Sequence, residues 1–340
     1  MTDVTHNSLK KMDVPGISSG EAAVLDAGRK ISWSALAPAL VFLGMLLAVG
    51  ILNTNYLGPL GVSIATATAA PIMFLALGQA MVLNIGSIDL SNAAIALFGA
   101  LLLALALPPM GLSAYFFILL LVTAIGAING AVISYAQVPS FALTLGTLAM
   151  LQTAALVVSG ANTIYVSENR ELISSLYQTQ ILHAPLTFWF GLAAAVILWA
   201  VLRYTVFGQN STAIGKNELA SILSAVPARR VRIITFALSG FFGGLAGLSI
   251  VAQAGSASAS GLGSDLLLPG IAAALIGGTS ISGGQTNPLN VVFGGLTVAF
   301  VPIAIQAMGL GAQAQSLIYG IFIILVVALT TVRTRESMIK

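Results

Sequence analysis

The sequence predicts an all-α integral membrane protein with about ten transmembrane helices. Of its 340 residues, 58% are hydrophobic and only 7% are charged, whereas a soluble domain carries about 25% charged residues. Its mean hydropathy is +1.00. Apolar runs of membrane-spanning length recur along the whole chain. A chain of this composition cannot cover itself with a surface that faces water.

Ten apolar runs are the candidates for these helices. The eighth run, at residues 266–277, is too short to cross about 30 Å of hydrocarbon as a helix. It must therefore either extend into its neighbours or form a broken span that other helices shield from lipid. The runs lie at residues 34–52, 60–83, 91–107, 112–136, 139–158, 186–203, 233–253, 266–277, 289–308 and 315–332.

Basic residues indicate the orientation of the chain, because Lys and Arg concentrate in cytosolic loops. With the N-terminus in the cytosol, ten crossings place every basic cluster in the cytosol. One span more or fewer would divide the clusters between the two sides. We therefore predict that both termini are cytoplasmic. The clusters are Arg29 and Lys30; Arg203, Lys216, Arg229, Arg230 and Arg232; and Arg333, Arg335 and Lys340.

The same pattern divides the chain into segments. Residues 1–33 are polar and predict a disordered cytosolic tail, and residues 334–340 predict a short cytosolic C-terminal tail. Residues 34–333 form the predicted transmembrane domain, which includes a cytosolic loop at 204–232.

Five spans in each half would make the second half inverted relative to the first, a plan that recurs in transporters. Asp89 in GSIDLSNAAIA and Asp265 in GSDLLLPGIA are each followed by Leu, with Ile-Ala six and seven positions further on. Each Asp lies where the third or the eighth span begins. Two explanations stay open, namely an inverted 5+5 repeat and chance in a chain rich in Ala and Leu.

Asp89 is a candidate functional residue, because an acidic side chain near hydrocarbon is costly. It is flanked by small and polar residues, among them Ser91 and Asn92. One interpretation is that the carboxylate caps the third span by binding its first free N–H groups. The other is that Asp89 and Asn92 contact a translocated solute or form a gate.

Three hydroxyl side chains form a stripe at the start of the fifth span. Ser140, Thr144 and Thr147 are spaced four and three apart in QVPSFALTLGT, so they share one helix face. The stripe could line a path for a polyhydroxylated solute. Alternatively, the hydroxyls bind their own backbone, as Ser and Thr in membrane helices usually do.

The sequence contains no pattern typical of an enzyme. The glycine-rich stretch GGTSISGGQTNP lacks the Lys-Ser or Lys-Thr of a phosphate-binding loop. The chain has no cysteine, no metal-ligand cluster and no nucleophile–base pair, and its bases lie beside apolar runs rather than in a nucleic-acid patch. We expect no catalytic residue, no metal, no cofactor bound by this chain and no nucleic-acid partner. Another glycine-rich stretch, SGFFGGLAG, predicts close helix packing.

The loop at 204–232 raises the question of an energy source. Four of the thirteen basic residues, namely Lys216, Arg229, Arg230 and Arg232, lie between residues 212 and 232. Without a nucleotide site, a chain that moves a solute uphill needs energy from elsewhere. An ion-coupled secondary transporter would take it from an ion gradient. The alternative is a subunit driven by a separate ATPase that docks on a cytosolic helix.

The stretch Lys216–Ala225 favours the docking alternative. It predicts a short amphipathic helix, ended by Pro227, with Leu219, Ile222 and Leu223 on one face. A helix lying on anionic lipid would show the same pattern. The candidate docking residues are Lys216, Asn217, Glu218, Leu219, Ile222, Leu223 and Arg229.

Four stretches in order resemble a known family, the permeases of bacterial ATP-binding-cassette (ABC) importers for ribose, xylose, arabinose and related simple sugars, including autoinducer importers. They are GSIDLS at 86–91, VPSFALTLGT at 138–147, FGQNSTAIGKNELASILSAVPARRV at 207–231 and IAAALIGGTSISGGQ at 271–285. The resemblance runs from about residue 36 to residue 333. The chain departs from the family pattern before the eighth span, where Leu267, Leu268 and Pro269 replace an acidic pair common in the family.

The resemblance implies a multi-pass permease subunit of the bacterial inner membrane that imports a simple sugar. It implies an ABC ATPase that binds and hydrolyses ATP, a periplasmic sugar-binding protein and a second permease subunit, identical or paralogous, besides membrane lipid. It also implies that residues 217–225 form the coupling helix on which the ATPase docks.

Overall fold

The computed structural model describes residues 33–259, 264–311 and 313–330. The predicted C-terminal tail and all of the predicted N-terminal tail except Trp33 lie outside these residues.

Helices dominate the described part of the chain. The α-helices are α1 Trp33–Leu52, α2 Pro59–Asn84, α3 Asn92–Met110, α4 Ser113–Ala136, α5 Ser140–Ser159, α6 Arg170–Gln178, α7 Leu186–Tyr204, α8 Val206–Lys216, α9 Glu218–Leu223, α10 Ala228–Ala254, α11 Leu267–Ile276, α12 Pro288–Ala307 and α13 Ala314–Thr330. Short 3₁₀-helices span Thr54–Leu57 and Ser264–Leu266. Strands β1 (Thr163–Tyr165) and β4 (Ser256–Ser258) pair antiparallel, as do β2 (Gln180–Ile181) and β3 (Ala184–Pro185).

The apolar helices coincide with the predicted spans. Seven helices in the described residues are long and apolar enough to cross a membrane, namely α2, α3, α4, α5, α7, α10 and α12. The other three predicted runs coincide with α1, α11 and α13. The prediction of an all-α membrane protein is confirmed, and the count of ten spans stays a prediction.

Helix α11 shows how the chain accommodates the short eighth run. Its ten residues rise about 15 Å, half the hydrocarbon thickness. Residues Ala272 to Ile276 are buried, and the helix packs against α2, α12 and α13. The eighth run is therefore a short helix that neighbouring helices shield, one of the two arrangements that the sequence left open.

Two long helices form the centre of the bundle. Every residue of α2 from Ala69 to Asn84 is buried, and α10 packs against α2, α3 and α4. A Cβ at Gly240 would lie 2.5 Å from the carbonyl oxygen of Val122 on α4, and one at Gly247 would collide with the carbonyl of Ala96 on α3. The predicted packing role of SGFFGGLAG is confirmed, since a larger residue would force the helices apart.

The connections gather at two ends of the bundle. At one end, called the loop end here, the 204–232 segment meets the α2–α3, α4–α5 and α11–α12 connections. At the opposite end, β1 pairs with β4, and Asn169 donates to the carbonyl of Pro108. Arg203, at the end of α7, leads into the 204–232 segment, so the bases of this segment and Arg203 share one end of the bundle.

Candidate functional site

The 204–232 segment contains α8, α9 and the first residues of α10, where one short helix was predicted. Asn217 is extended, with φ −160° and ψ 100°, and separates α8 from α9. Its side-chain oxygen accepts from the N–H of Ala220 at 3.0 Å and so caps α9. Ala225, at φ 61°, lies beyond the end of α9. The predicted helix Lys216–Ala225 is therefore too long, because a cap residue interrupts it at one end and a left-handed residue prevents its continuation at the other.

The apolar face of α9 is uncovered. Leu219, Ile222 and Leu223 are 70%, 51% and 81% exposed. Ser221 on the opposite face is buried, and its hydroxyl donates to the carbonyl of Asn217 at 2.8 Å. Three large apolar side chains together on a polar loop are typical of an interaction surface. Of the other predicted docking residues, Lys216, Asn217, Glu218 and Arg229 are all exposed.

The arginine cluster lies on a helix rather than in a loop. Helix α10 begins at Ala228, five residues before the predicted start of the seventh span at 233, so Arg229, Arg230 and Arg232 lie in its first two turns. Positive charge is unfavourable at a helix N-terminus. The positive charge of Arg232 is balanced by an ion pair with Glu218, which links α9 to α10. Arg229 stacks 5.5 Å from the ring centroid of Tyr135 on α4.

A cleft of about 980 Å³ opens at the loop end, between the α4–α5 turn and the α9–α10 segment. One wall carries the polar side chains of Ser134, Gln137 and Ser140, and the other carries the three arginines with Glu218 and Ile222. Ser134 and Gln137 were missed from sequence. The sequence gives little indication of either residue, because both stand at the end of a long apolar helix and form no polar stripe.

Asp89 lies in a polar cluster within the bundle. It is fully buried. One carboxylate oxygen accepts from the N–H of Ser91 at 2.9 Å and from its hydroxyl at 2.6 Å. The other oxygen accepts from the Ser239 hydroxyl on α10 at 2.7 Å. Asn92 donates to the carbonyl of Ser239 at 2.8 Å. Asp89 thus joins the start of α3 to the middle of α10.

The hydroxyl stripe on α5 binds the same segment from the other side. Ser140 accepts from the N–H of Ile88 at 3.2 Å, and Thr144 accepts from the N–H of Leu90 at 3.0 Å. Thr144 also donates to the carbonyl of Ser140 at 2.9 Å. Thr147 donates to the side-chain oxygen of Asn129 at 2.8 Å.

The structure therefore gathers all five predicted path residues around the segment 88–92, in a hydrogen-bonded cluster called the Asp89 network here. Asn129 on α4 closes it by donating to the hydroxyl of Ser91 at 3.0 Å. Its members are Asp89, Asn92, Ser140, Thr144 and Thr147, with Ser91, Asn129 and Ser239. Sequence reasoning missed Asn129 and Ser239, which are isolated polar residues in long apolar helices.

The N-cap of α3 is Ser91, whose side chain makes no capping bond. Asp89 lies two residues before it and binds the N–H of Ser91 itself. The carboxylate thus supports the start of α3 from two residues before the N-cap residue. Burial of an ionised carboxylate is costly unless it is hydrogen-bonded, and three donor groups satisfy this condition.

Comparison with known proteins places the chain in a family. Residues 61–327 match the family model described as "Branched-chain amino acid transport system / permease component". The chain is 31% identical to the D-allose transport system permease protein of Escherichia coli over 261 residues, which cover 76% of this chain and 79% of that protein. It is 30% identical to an autoinducer 2 import system permease protein of Salmonella paratyphi A over 88% of this chain and 91% of that protein.

The chain belongs to the family of permease subunits of ribose-type ABC importers. The ribose import permease protein of Haemophilus influenzae is 28% identical to it over 74% of this chain and 79% of that protein. No solved structure gave a significant match. The relatives are permease proteins, which are transport components rather than enzymes. All four sequence stretches that carried the resemblance lie within the aligned region 61–327.

Proposed function

We propose that this permease imports a simple sugar, a pentose, a hexose or a related polyol, across the bacterial inner membrane with energy from a separate ABC ATPase. The names of its relatives, which refer to ribose import, D-allose transport and autoinducer 2 import, support a small polyhydroxylated cargo. The observation that carries the proposal is the uncovered apolar face of α9, at the place where the family resemblance puts the coupling helix. A permease without its own energy source needs such a contact.

We propose a topology of ten spans in two inverted halves, with both termini in the cytosol. Ten apolar helices at the ten predicted runs support the count. Asp89 lies just before α3 at the loop end, and Asp265 lies in the 3₁₀-helix that follows β4 in the chain and precedes α11 at the opposite end. These matching positions at opposite ends support the inverted 5+5 arrangement. The loop end, which holds the described basic cluster, is then the cytosolic end.

The proposed partners follow from this topology. The ATPase docks at the loop end on Leu219, Ile222 and Leu223, and the exposed residues Lys216 and Asn217 lie beside them. A periplasmic sugar-binding protein delivers the cargo at the opposite end. A second permease subunit, identical or paralogous, completes the pore within the lipid.

The Asp89 network, in this proposal, forms part of the wall of the translocation path. The hydroxyls of Thr144 and Thr147 form hydrogen bonds with other residues of the chain, Leu90 and Asn129. Ser140 also lines the cleft at the loop end. The network therefore holds the α2–α3 segment in place. Ser140 belongs both to the network and to the wall of the cleft, through which the cargo leaves in this proposal.

The alternative function is that of an ion-coupled secondary transporter. Reconstitution in proteoliposomes distinguishes it from an ATPase-driven permease. We expect proteoliposomes that contain the permease alone to show no concentrative sugar uptake under a proton or sodium gradient, because the energy must come from ATP hydrolysis by the partner. Addition of the ATPase, the binding protein and internal ATP should restore uptake of radiolabelled ribose or allose. Gradient-driven uptake by the permease alone would refute the proposal. Absence of uptake of either sugar by a complex that hydrolyses ATP would point to another cargo.

A further inference from the structure

Three connections meet backbone to backbone at the loop end, at a point called the glycine junction here. Gly284 in the α11–α12 connection donates its N–H to the carbonyl of Asn84, the last residue of α2, at 2.8 Å. A Cβ at Gly215 on α8 would collide with that same carbonyl and with the nitrogen of Gly284. A Cβ at Gly283 would lie 2.8 Å from the carbonyl oxygen of Gly215 and 2.9 Å from the nitrogen of Gly86. The junction consists of Asn84, Gly86, Gly215, Gly283 and Gly284.

Glycine is required at these positions for different reasons. Gly283 and Gly284 have φ values of 89° and 73°, which other residues adopt only with strain. Gly215 lies in helix α8 and has no such φ, so the requirement at 215 is one of space alone. A methyl group there would push α8 away from the end of α2. Gly215 is therefore the position at which the contact can be tested without strain in the φ of the substituted residue.

Side-chain bonds hold the same two helices together. The amide of Asn84 donates to the hydroxyl of Ser211 at 3.2 Å and to that of Thr212 at 3.5 Å. Asn84 and Ser211 are fully buried. Ser211 and Gly215 are four residues apart and so lie on one face of α8. One face of α8 is thus fixed to the C-terminus of α2 by both packing and hydrogen bonds.

The junction lies between the apolar face of α9 and two connections of the bundle, the α2–α3 connection and the α11–α12 connection. Gly215 is three residues before α9, which carries the exposed apolar face. Asn84 and Gly86 lead directly into the segment that contains Asp89. Gly283 and Gly284 lie between the short buried helix α11 and α12. Because close-packed contacts transmit displacement rather than absorb it, a movement of α8 and α9 must reach both connections.

We propose that the glycine junction is the mechanical link between the ATPase and the translocation path, and that Gly215 is a positioning residue for coupling. The proposal rests on the proposed docking of the ATPase on α9. The junction converts a displacement of α9 into a displacement of the start of α3 and of the connection that follows α11.

The test is Gly215→Ala in the complete complex of permease, ATPase and binding protein, with Gly44→Ala as the matched control. Gly44 is also a helical glycine, and among the described residues no atom lies within 4 Å of its Cβ position. We expect Gly215→Ala to retain recovery of the ATPase with the permease, while sugar transported per ATP hydrolysed falls about tenfold, within the range typical of coupling between two sites. Gly44→Ala should leave this ratio at the wild-type value. A merely structural role would lower yield, hydrolysis and transport together without a change in the ratio.

An unchanged ratio in a recovered Gly215→Ala complex would overturn the proposal. If that variant does not reach the membrane, Asn84→Ala decides in the same assay. It removes the bonds to Ser211 and Thr212 without adding an atom, so the ratio should fall by less than in Gly215→Ala, and an unchanged ratio would again refute the junction. Failure of the docking proposal would give a different result, because substitutions on the apolar face of α9 would then leave recovery of the ATPase unchanged.

Discussion

Leu223→Asp should sharply reduce recovery of the ATPase with the permease. Leu223 is 81% exposed on α9 beside Leu219 and Ile222. Burial of each such side chain against a partner contributes about 1.5–3 kcal/mol as an upper figure, because association has its own ordering cost. The substitution removes one of these contributions and also places a carboxylate in the interface, which is costly without a partner. At about 1.4 kcal/mol per tenfold change in affinity, the loss should be 10-fold or more.

The measurement is co-purification of the ATPase, co-expressed with a tagged permease, followed by sugar-stimulated ATP hydrolysis. Leu182→Asp is the matched control, since Leu182 is 79% exposed but lies between β2 and β3 at the opposite end of the bundle. The control should recover the ATPase normally. Undiminished recovery and hydrolysis in Leu223→Asp would mean that α9 lies on lipid, and the docking proposal would be wrong.

The structure also changes the role expected of the charged residues near α9. Glu218 was predicted to be one of the docking residues, and it is exposed. Its carboxylate, however, pairs with Arg232 at the start of α10. This pair links α9 to the start of α10. We therefore expect Glu218 to contribute to the contact between α9 and α10 as well as to the proposed docking surface.

Composition predicted the helices well because the membrane imposes one length and one polarity on every span. The boundaries that failed are those where this constraint does not act. Helix α10 starts at Ala228, earlier than the hydropathy indicates, because arginines with long apolar stems can continue a helix beyond the hydrocarbon. The break at Asn217 depends on one capping bond, which an amphipathic pattern does not reveal.

The site was predicted in parts but not as a whole. Asp89 and the stripe of Ser140, Thr144 and Thr147 were identified separately, each from a local pattern. Their meeting depends on contacts between residues more than fifty positions apart, such as Leu90 with Thr144. The glycine junction could not be predicted at all. In the sequence, Gly215 does not differ from other helical glycines. Only the close contact of its backbone with Asn84 and Gly284 shows why no side chain fits there.

Asp89→Leu should strongly lower the yield of folded permease, whereas Asp89→Asn should keep most of the yield and transport. Leucine leaves the N–H of Ser91 and the hydroxyls of Ser91 and Ser239 without the acceptor that they now share. Each buried polar group without a partner costs about 1–3 kcal/mol, against a total stability of about 5–15 kcal/mol for a typical protein.

Asparagine keeps an oxygen for Ser91 and turns an N–H₂ group toward Ser239. The Ser239 hydroxyl already accepts from Asn92 at 2.9 Å, but a hydroxyl has two lone pairs and can accept a second bond. Asp265→Leu is the matched control, because Asp265 occupies the corresponding place before α11 and is exposed, so its loss leaves no buried group unpaired. The measurements are the monodisperse yield in detergent and sugar uptake in proteoliposomes with the ATPase. If Asp89→Asn abolishes uptake while yield and ATPase recovery stay at wild-type levels, the charge itself acts in transport, and the structural role of the Asp89 network is wrong.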